Sequence, residues 1–234
     1  MATKAGTLRR LVEAAASASM SLTVLVGCLA AGYLFAAFAA PARGTKMLPW
    51  LAGRALGLAG YACLFVLVIV GTWIRHPWRF RWPLLHPEVR LRLHASLSAA
   101  SILLIFGHLS SLALDRYAGV GWRGALVPGS SHYRTVPVAM GVVAFEAMVL
   151  IGATAGLAGR FGGGRWLVVH RLATPVFVLV WLHGVLAGTD TPSLRLMYAV
   201  TGVVSVALLA TRYLADPAPA RDTARHRPVA GVRS

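Results

Sequence analysis

Acidic residues are scarce in this 234-residue chain, which has seven Asp and Glu against 23 Lys and Arg and a formal net charge of +16. Charged residues of both signs make up only 13% of the chain. That share is too small to cover a soluble globule of this length with polar side chains. The basic residues are also scattered, without a run of five or six, so the sequence predicts no nucleic-acid partner.

Cysteines and nucleotide-binding motifs are equally scarce. Cys28 and Cys63 both fall in apolar stretches, so the sequence predicts neither a disulfide framework nor a Cys-x-x-Cys motif. The chain has no Gly-x-Gly-x-x-Gly motif after a predicted strand, and the three glycines at 162–164 are typical of a tight turn. We therefore expect no flavin or nicotinamide site in this chain, and any such domain should belong to another polypeptide.

Apolar sequence is abundant, with 57% hydrophobic residues and a mean hydropathy of +0.68. Six apolar runs approach the length of about 20 residues that crosses a bilayer, roughly at 17–40, 52–74, 91–114, 137–159, 166–187 and 194–214. Because backbone polar groups in lipid need internal partners, we predict an all-α, six-helix transmembrane bundle in contact with membrane lipids. The predicted organisation is a cytoplasmic N-terminus (1–16), the bundle (17–214) and a disordered cytoplasmic tail (215–234).

The basic residues predict how the chain is oriented. Fifteen Lys and Arg lie in the N-terminus, the second and fourth connections and the tail, whereas seven, including Arg54, lie in the other three connections. The positive-inside rule then places both termini in the cytoplasm of a multi-pass plasma-membrane protein. Arg9 and Arg10 ahead of an apolar run imitate an export signal, but the run continues to Ala40, so we expect it to span the membrane.

Four histidines lie in two of the most apolar stretches. His94 and His108 are 14 residues apart in the third predicted span, and His170 and His183 are 13 residues apart in the fifth. These spacings correspond to about 21 and about 20 Å of helix, which suits two haems stacked across one bilayer. We predict that His94 and His170 bind the iron of an inner haem. His108 and His183 then bind the iron of an outer haem.

Helical phase places a condition on this prediction. In a regular α-helix, the 14 residues between His94 and His108 turn the chain to about 40° short of four full turns, so both histidines share a face. The 13 residues between His170 and His183 leave the chain about 140° short. A regular helix would therefore point His170 and His183 apart, so the prediction requires a distorted helix start at His170 or a change of winding at Thr174-Pro175. The simpler alternatives are histidines that hydrogen-bond a neighbouring helix, or that hold zinc or copper.

Three features of the chain resemble the ferric reductase transmembrane domain over about residues 50–213: the paired histidine spacings, His-Arg-Leu at 170–172, and the approach to the fourth span from Val-Pro at 127–128 to Val-Ala-Met-Gly at 138–141. This domain is the six-helix, two-haem core shared by NADPH oxidases, ferric-chelate reductases and the haem subunit of the periplasmic methionine sulfoxide reductase system. The resemblance implies two b-type haems held by the four histidines. It also implies that Arg54 and Arg171 pair with haem propionates.

Several other side chains are candidates for a role. Glu146, near the middle of the fourth span, is either functional or a protonated group bonded to a neighbouring hydroxyl. Phe177 either faces the gap between the haems or fills the core. His132, Tyr133 and Arg134 are candidates to line an external substrate pocket.

We therefore expect a transmembrane haem b electron-transfer protein, an oxidoreductase membrane subunit that needs a separate partner. Electrons would pass from a cytoplasmic flavoprotein, or from membrane quinol, through the inner and then the outer haem to an external acceptor. The candidate docking face for an acidic donor consists of Arg75, Arg79, Arg81, Arg90 and Arg92. The alternative function is a transporter or membrane scaffold whose histidines line a proton or metal path, which the lack of an inverted repeat disfavours.

Overall fold

The computed structural model describes residues 46–74, 76, 87–158 and 166–214, together with some of the residues between 7 and 33. Every regular element within those residues is an α-helix. In chain order the main helices are α1 (Leu48–Ile74), α2 (Pro87–Leu114), α3 (Gly121–Leu126), α4 (Thr135–Gly156), α5 (Trp166–His170), α6 (Ala173–Ala187) and α7 (Thr191–Leu214).

Five helical stretches are long and apolar enough to cross a membrane: α1, α2, α4, the α5–α6 pair and α7. They coincide closely with the last five predicted spans, so the prediction of an all-helical bundle with helices of membrane length is confirmed for these five. The first predicted span, at 17–40, lies largely outside the described residues, although Met20–Leu29 within it is a shorter apolar helix. The tail at 215–234 lies outside the described residues as well.

The bundle is built from two closely packed helix pairs. α1 packs along α2, and their shared core includes Cys63, Leu97 and Leu104. Val24 and Cys28 of the N-terminal helix pack against the same core. α4 packs along α6 to form the second pair, and α7 contacts both α1 and α6. The histidines of α2 therefore lie in one helix pair, and those of α5 and α6 lie in the other helix pair.

A second apolar core joins the two helix pairs in the middle of the bundle. The ring of Tyr61 on α1 stacks on that of Phe177 on α6, with centroids 6.2 Å apart and an interplanar angle of 19°. The Tyr61 hydroxyl shares a buried hydrogen bond of 2.5 Å with the Thr201 hydroxyl on α7. Because these contacts bury aromatic surface from both pairs, they hold the two histidine-bearing halves against each other.

The helix that carries His170 and His183 is broken between them, as the phase argument requires. α5 ends at His170, and α6 begins after a two-residue turn. In that turn the Leu172 N–H donates to the Val169 carbonyl, three residues back, over 3.0 Å. Pro175 has no N–H to continue the α-helical ladder across the turn. The prediction of an irregular helix at this point is therefore confirmed.

Candidate functional site

The structure brings the four histidines together in the two pairs that the spacing predicts. The His94 and His170 rings have centroids 5.9 Å apart at an interplanar angle of 66°. The His108 and His183 rings have centroids 6.3 Å apart at 76°. Both pairs lie where α2 faces the α5–α6 stretch, so each site is completed only when the two halves of the bundle meet. We refer to them as the inner pair and the outer pair, respectively.

The outer pair is oriented by backbone carbonyls. Nδ1 of His108 lies 2.6 Å from the Gly53 carbonyl oxygen on α1, and Nδ1 of His183 lies 2.8 Å from the Pro137 carbonyl oxygen on α4. A carbonyl oxygen only accepts hydrogen bonds, so each Nδ1 carries the proton and donates it. The Nε2 atom of each neutral ring then keeps its lone pair, which is the state in which imidazole binds a metal.

Glycines allow these rings to approach the neighbouring backbone. A Cβ atom on Gly57 would lie 2.8 Å from Nδ1 of His108, and one on Gly141 would lie 2.7 Å from Nδ1 of His183. Each glycine follows the accepting carbonyl residue by four positions, so the ring packs across one helical turn. Any other residue at either glycine would push the histidine away from its carbonyl.

The inner pair repeats part of this arrangement. A Cβ atom on Gly71 would lie 2.8 Å from Cε1 of His94, so this ring also packs against a glycine of α1. Gly57 and Gly71 are 14 residues apart, the same spacing as the two α2 histidines. The His94 ring interacts with the backbone of Leu67, four residues before Gly71, although its Nδ1 makes no hydrogen bond of normal geometry within the described part of the chain. No role was predicted for these glycines, although their spacing is visible in the sequence beside that of the histidines.

A partly open cavity surrounds the outer pair. Its walls are mainly apolar and include Ile105, Leu109, Val142, Phe145 and Val180. Polar groups gather at one edge, where Arg54 and Asp190 line it. This combination of apolar walls and a few converging polar groups is typical of a site for a largely apolar organic ligand.

Arg54 forms a two-point ion pair at the edge of this cavity. Its Nε donates to Oδ2 of Asp190 over 2.9 Å, and its Nη2 donates to Oδ1 of the same carboxylate. Each side chain is 26% exposed, so the pair is partly screened from water. Arg54 was a predicted site residue, whereas Asp190 was not, because an acidic residue just before a helix is also typical of a helix cap.

The remaining predicted residues are less closely tied to the pairs. Arg171 is exposed in the turn directly after His170. Glu146 lies on the exposed side of α4 and makes no hydrogen bond to a hydroxyl within the described residues. Phe177 is only 4% exposed and packs on Tyr61 and Phe65. It occupies the α6 segment between the inner and outer ligands, so it both fills the core and lies between the pairs.

Residues 132–134 lie close to the outer pair. Tyr133 lines the cavity and contacts the Trp50 ring edge-on, with centroids 5.8 Å apart. His132 and Arg134 are exposed. Arg134 has a left-handed backbone with φ of 40°, and its Nη1 donates to the Leu186 carbonyl over 2.8 Å. Of the three, Tyr133 therefore lines the cavity, and a substrate pocket at this segment stays a prediction.

The predicted donor-docking face is only partly described. Arg90 and Arg92 lie in α2 near its first turn, at the same end of the bundle as His94. The other members of that face, Arg75, Arg79 and Arg81, lie outside the described residues. Whether the five arginines form one surface therefore stays a prediction.

Each histidine pair brings two possible metal ligands together. Within the described residues, no group of three or more His, Cys, Asp or Glu could hold a metal ion. Comparison of the chain with protein-family models, curated protein sequences and solved structures finds no match in any of the three.

Proposed function

We propose that this protein is a transmembrane electron carrier that holds two b-type haems, similar to the ferric reductase transmembrane domain. The observation that carries the proposal is the separation of the rings within each pair. A metal–imidazole nitrogen bond is about 2.0–2.1 Å long, and ring bonds near 1.33 Å put that nitrogen roughly 1.1 Å from the ring centroid. Two imidazoles on opposite sides of one metal therefore have centroids about 6.3 Å apart. The observed values of 5.9 and 6.3 Å match this.

The number of protein ligands supports a metal that brings its own equatorial ligands. Structural zinc sites take about four protein ligands and catalytic sites about three, whereas each pair here offers two imidazoles. A haem would take one imidazole from each histidine of the outer pair, and the apolar cavity around that pair would hold its macrocycle. When bound, such a group supplies a one-electron couple between ferric and ferrous iron.

The residues of the chain have separate parts in this proposal. The carbonyls of Gly53 and Pro137 fix the tautomer and the ring orientation of the outer ligands. Arg54 presents a guanidinium at the cavity edge, where it can hold the acidic edge of the ligand. Tyr61 and Phe177 fill the interior between the pairs and keep water out of it.

The same aromatic core disfavours the alternative of a proton or metal path. Such a path needs polar groups or water between successive sites. Along α1, Tyr61 and Phe65 lie between Gly57 and Gly71, the glycines that mark the depths of the outer and inner pairs. The Tyr61 ring stacks on the Phe177 ring and the Phe65 ring lies against it at 30°, so apolar surface closes that interval. An electron can tunnel through such an apolar barrier, whereas an ion cannot pass it without polar groups or water.

The proposed direction of transfer rests on the charge bias of the sequence. With both termini cytoplasmic, the inner pair receives electrons from a separate flavoprotein or from membrane quinol. The outer pair then passes them to an acceptor outside the plasma membrane. Docking of an acidic donor at the basic surface around Arg90 and Arg92 belongs to the same proposal.

Single replacement of the four ligands tests the proposal. The variants are His94→Leu, His170→Leu, His108→Leu and His183→Leu, and the matched control is the exposed histidine variant His132→Ala. Haem content and reduced-minus-oxidised spectra are measured on each purified protein. We expect each ligand variant to lose about half of the haem, with the two members of a pair losing the same spectral component. Retention of the full spectrum by all four variants would contradict the ligand assignment.

A further inference from the structure

The Arg54–Asp190 pair connects the two elements that orient the outer ligands. Arg54 directly follows Gly53, whose carbonyl accepts the hydrogen bond from His108. Asp190 lies in the turn between α6, which carries His183, and α7. The pair therefore joins the α1–α2 half of the bundle to the α6 half at the edge of the outer cavity.

The turn that carries Asp190 is held by contacts of its own. The Thr191 hydroxyl lies 2.9 and 3.0 Å from the carbonyl oxygens of Val185 and Gly188 near the end of α6 and shares its one proton between them. The backbone carbonyl of Asp190 accepts the N–H groups of Ser193 and Leu194, both at 3.0 Å. With the turn fixed in this way, the Asp190 carboxylate is free of a backbone role and both its oxygens bind Arg54.

We propose that Asp190 is a positioning residue that sets the charge at the outer site by holding and neutralising Arg54, an inference that rests on the proposed function. An arginine alone at the edge of an apolar cavity carries an uncompensated positive charge, which favours the reduced state of a nearby redox centre. The carboxylate cancels that charge and fixes the orientation of the guanidinium. An acidic ligand edge that binds Arg54 then shares a guanidinium that Asp190 has already placed.

The expected effect is a shift in the reduction potential of the outer haem. A unit charge that acts over roughly 12 Å through a medium of dielectric about 20 changes an equilibrium about tenfold. Asp190→Asn should therefore favour the reduced outer haem about tenfold, or about 59 mV for one electron. Arg54→Gln should shift it in the opposite direction. The double variant exchanges an ion pair of zero net charge for two uncharged side chains. The reduction equilibrium of its outer haem should therefore return to within about threefold of the wild-type value.

Redox titration of the full chain in detergent micelles, followed by absorbance, tests this inference. Asp190→Glu keeps the negative charge, so the reduction equilibrium of its outer haem should stay within about threefold of the wild-type value. The control Thr191→Ala loosens the same turn without changing charge, so it should lower thermal stability and leave the potential unchanged. A merely structural role for Asp190 would instead make Asp190→Asn behave like Thr191→Ala.

The outcomes separate this inference from the proposed function. Two haem components in the wild type, with an outer potential raised by Asp190→Asn and restored in the double variant, support it. Two haem components with an outer potential that does not respond to Asp190→Asn overturn the inference and leave the proposed function intact. A wild-type chain that binds no haem overturns the proposed function and the inference with it.

Discussion

Replacing Gly141 with alanine should weaken haem binding at the outer pair. The added Cβ would lie 2.7 Å from Nδ1 and 2.8 Å from Cε1 of His183, whereas ordinary van der Waals contacts begin at 3.4 Å. Both Gly141 and the histidine belong to α-helices that pack along each other, so the ring must retreat by roughly 0.7 Å or tilt. The hydrogen bond from Nδ1 to the Pro137 carbonyl, now 2.8 Å, is then stretched or lost.

The size of the effect follows from the loss of this orienting bond. Removing the partner that orients a metal-binding histidine costs about 10–100-fold in affinity. We therefore expect Gly141→Ala to bind the outer haem about 10–100-fold more weakly, measured by titrating haem into the purified apoprotein and following absorbance. The inner component of the spectrum should keep its wild-type affinity, because the inner pair has its own glycine at Gly71.

A matched control lies on the same helix. A Cβ on Gly152 would meet only the terminal methyl of Ile102, at 3.3 Å, and that methyl can move. Gly152→Ala gains the same helix propensity as Gly141→Ala, about 1 kcal/mol, without touching a histidine. If Gly141→Ala bound the outer haem with wild-type affinity, Gly141 would not be needed to make room for the His183 ring. If both variants lost affinity for the outer haem equally, the effect would come from general packing.

Three further predictions concern the helix break, the electron donor and the topology. Pro175→Ala restores an N–H to the α-helical ladder, so the break should relax, turn His170 away and remove the inner haem while the outer haem stays, as measured by haem content; an unchanged inner haem would contradict this. The purified chain should be reduced by dithionite but not by NADPH, because its Gly-x-Gly-x-x-Gly sequence at 119–124 follows the helix α2 and not the strand that a dinucleotide-binding turn needs; rapid reduction by NADPH would exclude the need for a partner. A reporter fused after Ser234 should be cytoplasmic and one inserted at Gly129 external, and the opposite result would invert the proposed direction of electron transfer.

The large features of the fold could be predicted because they depend on patterns of many residues. Long apolar runs predicted the five described membrane-length helices, and the spacing of His94 and His108 predicted which side chains share a face. Phase also predicted the break after His170, since a 13-residue spacing fits one face only if the helix is irregular. In each case the helical repeat alone carries the information.

Features that depend on single contacts between helices were missed. The bonds to the Gly53 and Pro137 carbonyls involve backbone atoms, which every residue has, so residue types gave no signal for them. The partner of Arg54 was missed because Asp190 is 136 residues away in sequence. Glu146 lies on the exposed side of α4, and whether it has a functional role stays a prediction.

The central claim is that each histidine pair binds one haem, and haem stoichiometry tests it most directly. The full chain is purified in detergent, its protein concentration is determined by amino-acid analysis, and its haem is measured as the pyridine haemochrome. The account predicts two b-type haems per chain, with the sharp reduced-state bands of low-spin iron that has an imidazole on each side. A purified, folded chain that holds no haem after expression and reconstitution with haem would contradict it.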